Sequence, residues 1–144
     1  MVYASTYLED EDLFVVVWGQ GAVLGVEWEA QVRDRMAEDP NWPPGSRRLV
    51  DATAMDPDAL TASDVATNTD LYGARPERMV GTRTAIVAGR AWEIATEFER
   101  RADRFGSRTI VFNYLTEACK WLGVDPELAR TTIAALRQEL TDGE

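Results

Sequence analysis

The 144-residue sequence predicts an α/β fold: a sheet of about five strands, largely parallel, with crossover helices and an extra C-terminal helix. Three observations lead there. Short runs rich in aromatic and β-branched residues alternate with segments whose apolar positions recur at helical spacing. The second of these runs, from Leu13 to Trp18, is apolar on both faces, as a central strand covered from each side must be. A chain of 144 residues that is 45% hydrophobic makes one domain over residues 1–144, burying roughly two-thirds of the surface its unfolded chain exposes.

Tyr3 to Leu8 and Leu13 to Gly19 read as the strands of a hairpin, because the acidic run from Glu9 to Asp12 between them is a solvated turn. From Val26 onward, Trp28, Val32 and Met36 recur at every fourth position, which predicts a helix that Asp39-Pro40 stops. Asn41-Trp42-Pro43-Pro44-Gly45 is a loop, since adjacent prolines remove backbone donors and Gly45 relieves the turn. Arg47 to Thr53 is a short strand with Asp51 at its carboxyl end. After the turn at Asp56-Pro57-Asp58, Thr61 and Asp64 are spaced like a capping pair and open a polar helix that ends near Gly73. Thr82 to Ala88 is a strand broken by Gly89. The helix that follows, Ala91 to Phe105, places Trp92, Ala95, Phe98, Ala102 and Phe105 on one stripe. Arg108 to Phe112 is the last strand, and Leu115, Ala118, Cys119 and Leu122 mark a short helix ending at Gly123. Asp125-Pro126-Glu127 supplies a cap, a first-turn proline and a first-turn acid for a final helix with Leu128, Ile133, Leu136 and Leu140 inward. Residues 1–123 thus form the core and 124–144 a C-terminal helix and tail, with no repeat of fixed period.

Fifteen Lys and Arg against 25 Asp and Glu give a net charge of −10, which repels phosphate over most of the surface and argues against nucleic-acid binding. There is no histidine to act as base or ligand, and the lone Cys119 can form neither an internal disulfide nor a thiolate zinc site. With no nucleophile motif, the expectation is a non-enzymatic protein with no catalytic residues, cofactor or metal. MVYASTYLEDED lacks a basic start and an apolar stretch, so no export signal is read. The apolar runs fall far short of the ~20 residues that span a bilayer, so a cytoplasmic protein without a membrane span is expected.

Several residues invite a functional reading. Gly19-Gln20-Gly21 and Gly25 imitate a dinucleotide-binding turn, but the third glycine is one position late and Asp51 lies about thirty residues on where ~20 is expected. A glycine-relieved strand-to-helix turn is the simpler account. Thr61 and Ser63, in the first turn of a helix, are the candidate phosphosites, since free N–H groups there would hold a phosphate. Asp56, Asp58 and Asp64 crowd the same segment with repelling charge. With Asp51 these acids lack the spacing of a calcium loop. Residues 75–108 hold eight arginines against five acids, a local charge of +3. Arg100, Arg101 and Arg104 are therefore candidate contacts for an acidic partner or anion, although Glu97 with Arg101 and Glu93 with Arg90 are spaced to pair. Trp42 is a candidate partner contact, because an exposed tryptophan marks an interaction surface. Cys119, on an apolar stripe, reads as core.

The closing pattern Val111-Phe112-Asn113-Tyr114-Leu115-Thr116-Glu117-Ala118-Cys119-Lys120-Trp121-Leu122 resembles the "vFxxxxeAxxWL" ending of the STAS/SpoIIAA-like proteins, a bacterial group. Thr84 to Ala88, and Val50 to Thr53 continuing through Asp56 to Leu60, are similar to that family's middle strands and switch loop. Element order agrees over roughly residues 1–123 and leaves the last helix as an appendage. The resemblance implies a small regulatory or binding domain that works through a protein partner or as a homodimer. In anti-sigma-factor antagonists of this fold, a serine at the start of the helix after the third strand is phosphorylated. Leu60-Thr61-Ala62-Ser63-Asp64 stands here in place of the family's Asp-Ser-Ser-Gly-type sequence. A kinship proposed with the lipid-carrying CRAL-TRIO domains implies the alternative, a carrier of a small apolar ligand held between the sheet and the helix bearing Trp92 and Phe98.

Overall fold

Strand β1 (Tyr3–Leu8) turns back into β2 (Leu13–Trp18) through a single 3-10 turn, Glu9–Glu11. Asp12 closes that turn in the left-handed region at φ 48, donating its N–H to the Glu9 carbonyl at 3.2 Å. Aspartate tolerates this backbone better than most residues do. The computed structural model describes residues 3–19, 45–56, 58, 81–102 and 107–142. Its five strands, completed by β3 (Arg47–Asp51), β4 (Arg83–Val87) and β5 (Arg108–Phe112), form one sheet in the order β1-β2-β3-β4-β5. Only β1 is antiparallel to its neighbour, and β2 to β5 run parallel. The expected α/β class with a mostly parallel five-stranded sheet is what the chain adopts.

Both faces of β2 are buried. On one face Leu13, Val15, Val17, Leu49, Ala85 and Val87 pack against two helices, α2 (Leu115–Leu122) and α3 (Pro126–Asp142). On the other, Ile86 and Val111 meet Ala91, just before α1 (Trp92–Ala102), and Ala95 within it, while Phe14 and Val16 lie among Tyr3, Tyr7, Trp18 and Val50. Tyr3 stacks obliquely on Trp18 with ring centroids 5.5 Å apart. Burying Leu13, Leu49 and Leu122 completely is worth ~1.5–3 kcal/mol for each side chain. No helix among the described residues is long and apolar enough to cross a membrane.

The predicted helix ends reappear with their chemistry. Gly123 sits at φ 75 and donates its N–H to the Cys119 carbonyl at 2.8 Å, with Val124 N–H reaching the same oxygen at 3.0 Å. This left-handed stop favours glycine. Gly123→Ala is expected to lower stability by about 1 kcal/mol in urea melts, because a Cβ is disfavoured at that φ. Asp125 caps α3, its Oδ1 accepting the Glu127 N–H at 3.1 Å.

Four expectations need correction. The third strand ends at Asp51, not Thr53, because the Asp51 carboxylate accepts the Thr53 N–H and folds the chain into a turn. The helix after β4 begins at Trp92, preceded by the 3-10 turn Gly89–Ala91. That start leaves Trp92 exposed instead of inward, and Ala91 and Ala95 make the contact. In α3 the inward residue of the first turn is Ala129, while Leu128 is only half-buried. The helices expected from Val26 and from Thr61, the loop with Trp42, and Ser63, Arg104 and Phe105 lie outside the described residues.

Candidate functional site

Open α/β sheets bind their ligands outside the carboxyl ends of the parallel strands, where the strand order reverses. At that edge β3 ends in Asp51, whose side chain organises its surroundings. Its Oδ1 accepts the Thr53 N–H at 2.9 Å and the Thr53 hydroxyl at 2.6 Å, while Oδ2 accepts Arg137 Nη2 from α3 at 2.7 Å. Three donors satisfy a buried carboxylate that would otherwise be costly. The sequence placed Asp51 correctly but gave no sign of Arg137, which lies 86 residues away. Next to it, Gly89 adopts φ 54 and faces Thr53 so closely that a Cβ would stand 3.5 Å from the Thr53 Cα. The two turns pack directly against each other.

Beyond this bonded layer the edge presents aromatic surface. Trp92, five residues past the end of β4, is 38% exposed, and Tyr114, two past β5, is 67% exposed. They are the exposed large hydrophobic residues among those described. Asn113 beside Tyr114 is exposed as well.

The amino ends of the strands carry a different pattern, which sequence reading by fixed period misses. Gly45-Ser46-Arg47, Gly81-Thr82-Arg83 and Gly106-Ser107-Arg108 repeat a glycine–hydroxyl–arginine triplet at unequal intervals, each ending on the first residue of β3, β4 or β5. Parallel pairing brings Arg47, Arg83 and Arg108 into register, with Ser46, Thr82 and Ser107 buried one residue earlier. Arg47 Nη1 donates to the Leu122 carbonyl at 2.8 Å and the Gly123 carbonyl at 3.3 Å, and its Nη2 bonds the Glu11 carbonyl. Arg83 donates to the Trp121 carbonyl at 3.5 Å and lies over the Trp121 ring at 5.8 Å. Two guanidiniums thus hold the negative end of α2.

The other candidate groups are likewise engaged. Glu97 binds Arg100 at 2.6 Å and Arg101 at 2.7 Å, so these two arginines form a self-paired surface. The Glu93–Arg90 pair is absent among the described ion pairs. The bonds to Arg100 and Arg101 hold the Glu97 carboxyl below its ordinary value of 4.5. Whatever stability the pairing gives is therefore present at neutral pH and lost as pH falls through the lowered value. Carboxyl-carbon NMR titration is expected to place the Glu97 midpoint below 4.5 and return it there in an Arg100→Gln/Arg101→Gln variant. Cys119 is fully buried, and desolvation pushes its thiol up, which makes it a poor nucleophile. Asp56 accepts the Asp58 N–H at 2.9 Å in a local turn. No protein-family description, curated protein or solved structure matches the chain.

Proposed function

We propose that this chain is a non-enzymatic regulatory or protein-interaction domain of the STAS/SpoIIAA-like type, acting in the cytoplasm and meeting its partner at the carboxyl edge of the sheet. The exposure of Trp92 and Tyr114 at that edge carries the reading. Large aromatics contribute more binding energy than other side chains when a partner covers them. The engagement of Asp51 by Thr53 and Arg137, and the burial of Cys119, support a scaffold role for groups that could otherwise do chemistry. Topology supports it too. Among the described strands the order never reverses, whereas doubly wound folds bind small ligands in the crevice that a reversal opens. The carrier alternative asks Trp92 to line a cavity, and its exposure favours the contact surface instead.

Native mass spectrometry of freshly purified protein, compared with its mass after denaturation, tests this reading. The two masses are expected to agree, apart from an associated protein chain. A non-covalent addition of a few hundred daltons would select the carrier.

A further inference from the structure

Strand β1 lies at one edge of the sheet and pairs with β2 along all six of its residues. In an antiparallel edge strand every second residue turns its N–H and C=O away from the sheet. From Ala4 to Leu8, no backbone bond to a described residue other than those of β2 is formed. Such an edge is ordinarily blunted by charge, proline or a bulge, because it templates further pairing. The β1 sequence, Tyr-Ala-Ser-Thr-Tyr-Leu, has no charge and no proline, and its Tyr and Thr favour extended backbone. The opposite edge differs. Strand β5 is shorter and opens on the exposed Arg108.

The end of β1 runs straight into Glu9, Asp10, Glu11 and Asp12. Glu9 and Asp10 are exposed and form no ion pair among the described residues, and the Asp12 carboxylate accepts only the neutral Tyr7 hydroxyl, at 2.7 Å, among them. Arg47 reaches this turn through the Glu11 carbonyl, setting one cation against four carboxylates. An uncharged edge strand, whose backbone from Ala4 to Leu8 bonds only β2 among the described residues, therefore terminates in a concentrated negative charge.

We propose that β1 takes up an extended segment of a protein partner as a sixth, antiparallel strand, with basic residues at the N-terminal end of that segment lying along Glu9–Asp12. Main-chain bonds would supply the affinity and the acidic turn the direction and selectivity. A second copy of this chain fits less well. Each copy carries a net charge of −10, and its own β1 has no basic residue to lay along the turn. This surface is separate from Trp92 and Tyr114, which follow β4 and β5, so the two readings stand or fall independently.

Amide hydrogen exchange of the full-length, isotope-labelled chain tests the assignment. The probe is a synthetic peptide of two lysines followed by six alternating valines and threonines, titrated to millimolar concentration. Protection is expected at alternate amides of residues 4–8, with β2 amides unchanged. A Glu9→Gln/Asp10→Asn variant is expected to bind about fivefold more weakly, the scale of two exposed ion pairs. The Ser5→Lys variant, which places a charge on the edge, is expected to lose most of the protection. Absence of β1 protection with the lysine peptide overturns the proposal. Equal protection by a peptide with glutamates in place of the lysines overturns it as well. So does protection that grows with protein concentration in the absence of peptide, which would give the edge to a second copy.

Discussion

Replacing Arg47 by alanine is expected to destabilise the fold by about 3 kcal/mol, since charge-assisted hydrogen bonds are worth ~1.5–3 kcal/mol and more than one is lost. The side chain joins three parts of the molecule: the start of β3, the β1–β2 turn through the Glu11 carbonyl, and the end of α2 through the Leu122 and Gly123 carbonyls. Its removal leaves the part-buried Leu122 carbonyl, at the negative end of a helix, without this donor. Arg47→Lys keeps the charge but not the fork of donors, so it is expected to recover about half of the loss. Urea melts of the three proteins measure the difference. If Arg47→Ala melts with the parent chain, the clamp is not structural.

The second large effect is expected at Asp51, where alanine should cost about 2–3 kcal/mol by removing the acceptor for Thr53 and leaving Arg137 unpaired. Arg137→Ala should cost less, because that side chain is 38% exposed and its departure leaves the Thr53 bonds intact. A double-mutant cycle between the two positions is expected to give a coupling of about 1 kcal/mol. A coupling near zero would mean that the ion pair is idle and that Asp51 is held by Thr53 alone.

These two residues also mark where reading the sequence succeeds and where it stops. Asp51 could be placed at the carboxyl end of a strand because Leu49 and Val50 lead into it and turn residues follow. Its partner could not, because nothing local distinguishes Arg137, 86 residues on, from Arg130 of the same helix. Local chemistry was similarly readable at Gly123, Asp125 and Pro126, where the cap is written in adjacent residues. Helical periodicity put Trp92 on the inward stripe, and the exact helix start decided otherwise: a 3-10 turn precedes it, and the smaller Ala91 and Ala95 approach the sheet. The arginines that open β3 and β4 follow no fixed period, because their triplet repeats at unequal intervals and parallel pairing alone aligns it. The exposed aromatic surface at the carboxyl edge was therefore legible only once the strand ends were fixed.

Capture from an extract of its own cells tests most directly whether the chain works by protein contact through that edge. The parent chain and a Trp92→Ser/Tyr114→Ser variant, matched for urea midpoint, would be compared by quantitative mass spectrometry of what each retains. The account predicts a specific protein held by the parent and reduced about thirtyfold or more with the variant, the scale of losing hot-spot aromatics. Equal retention by both would contradict it.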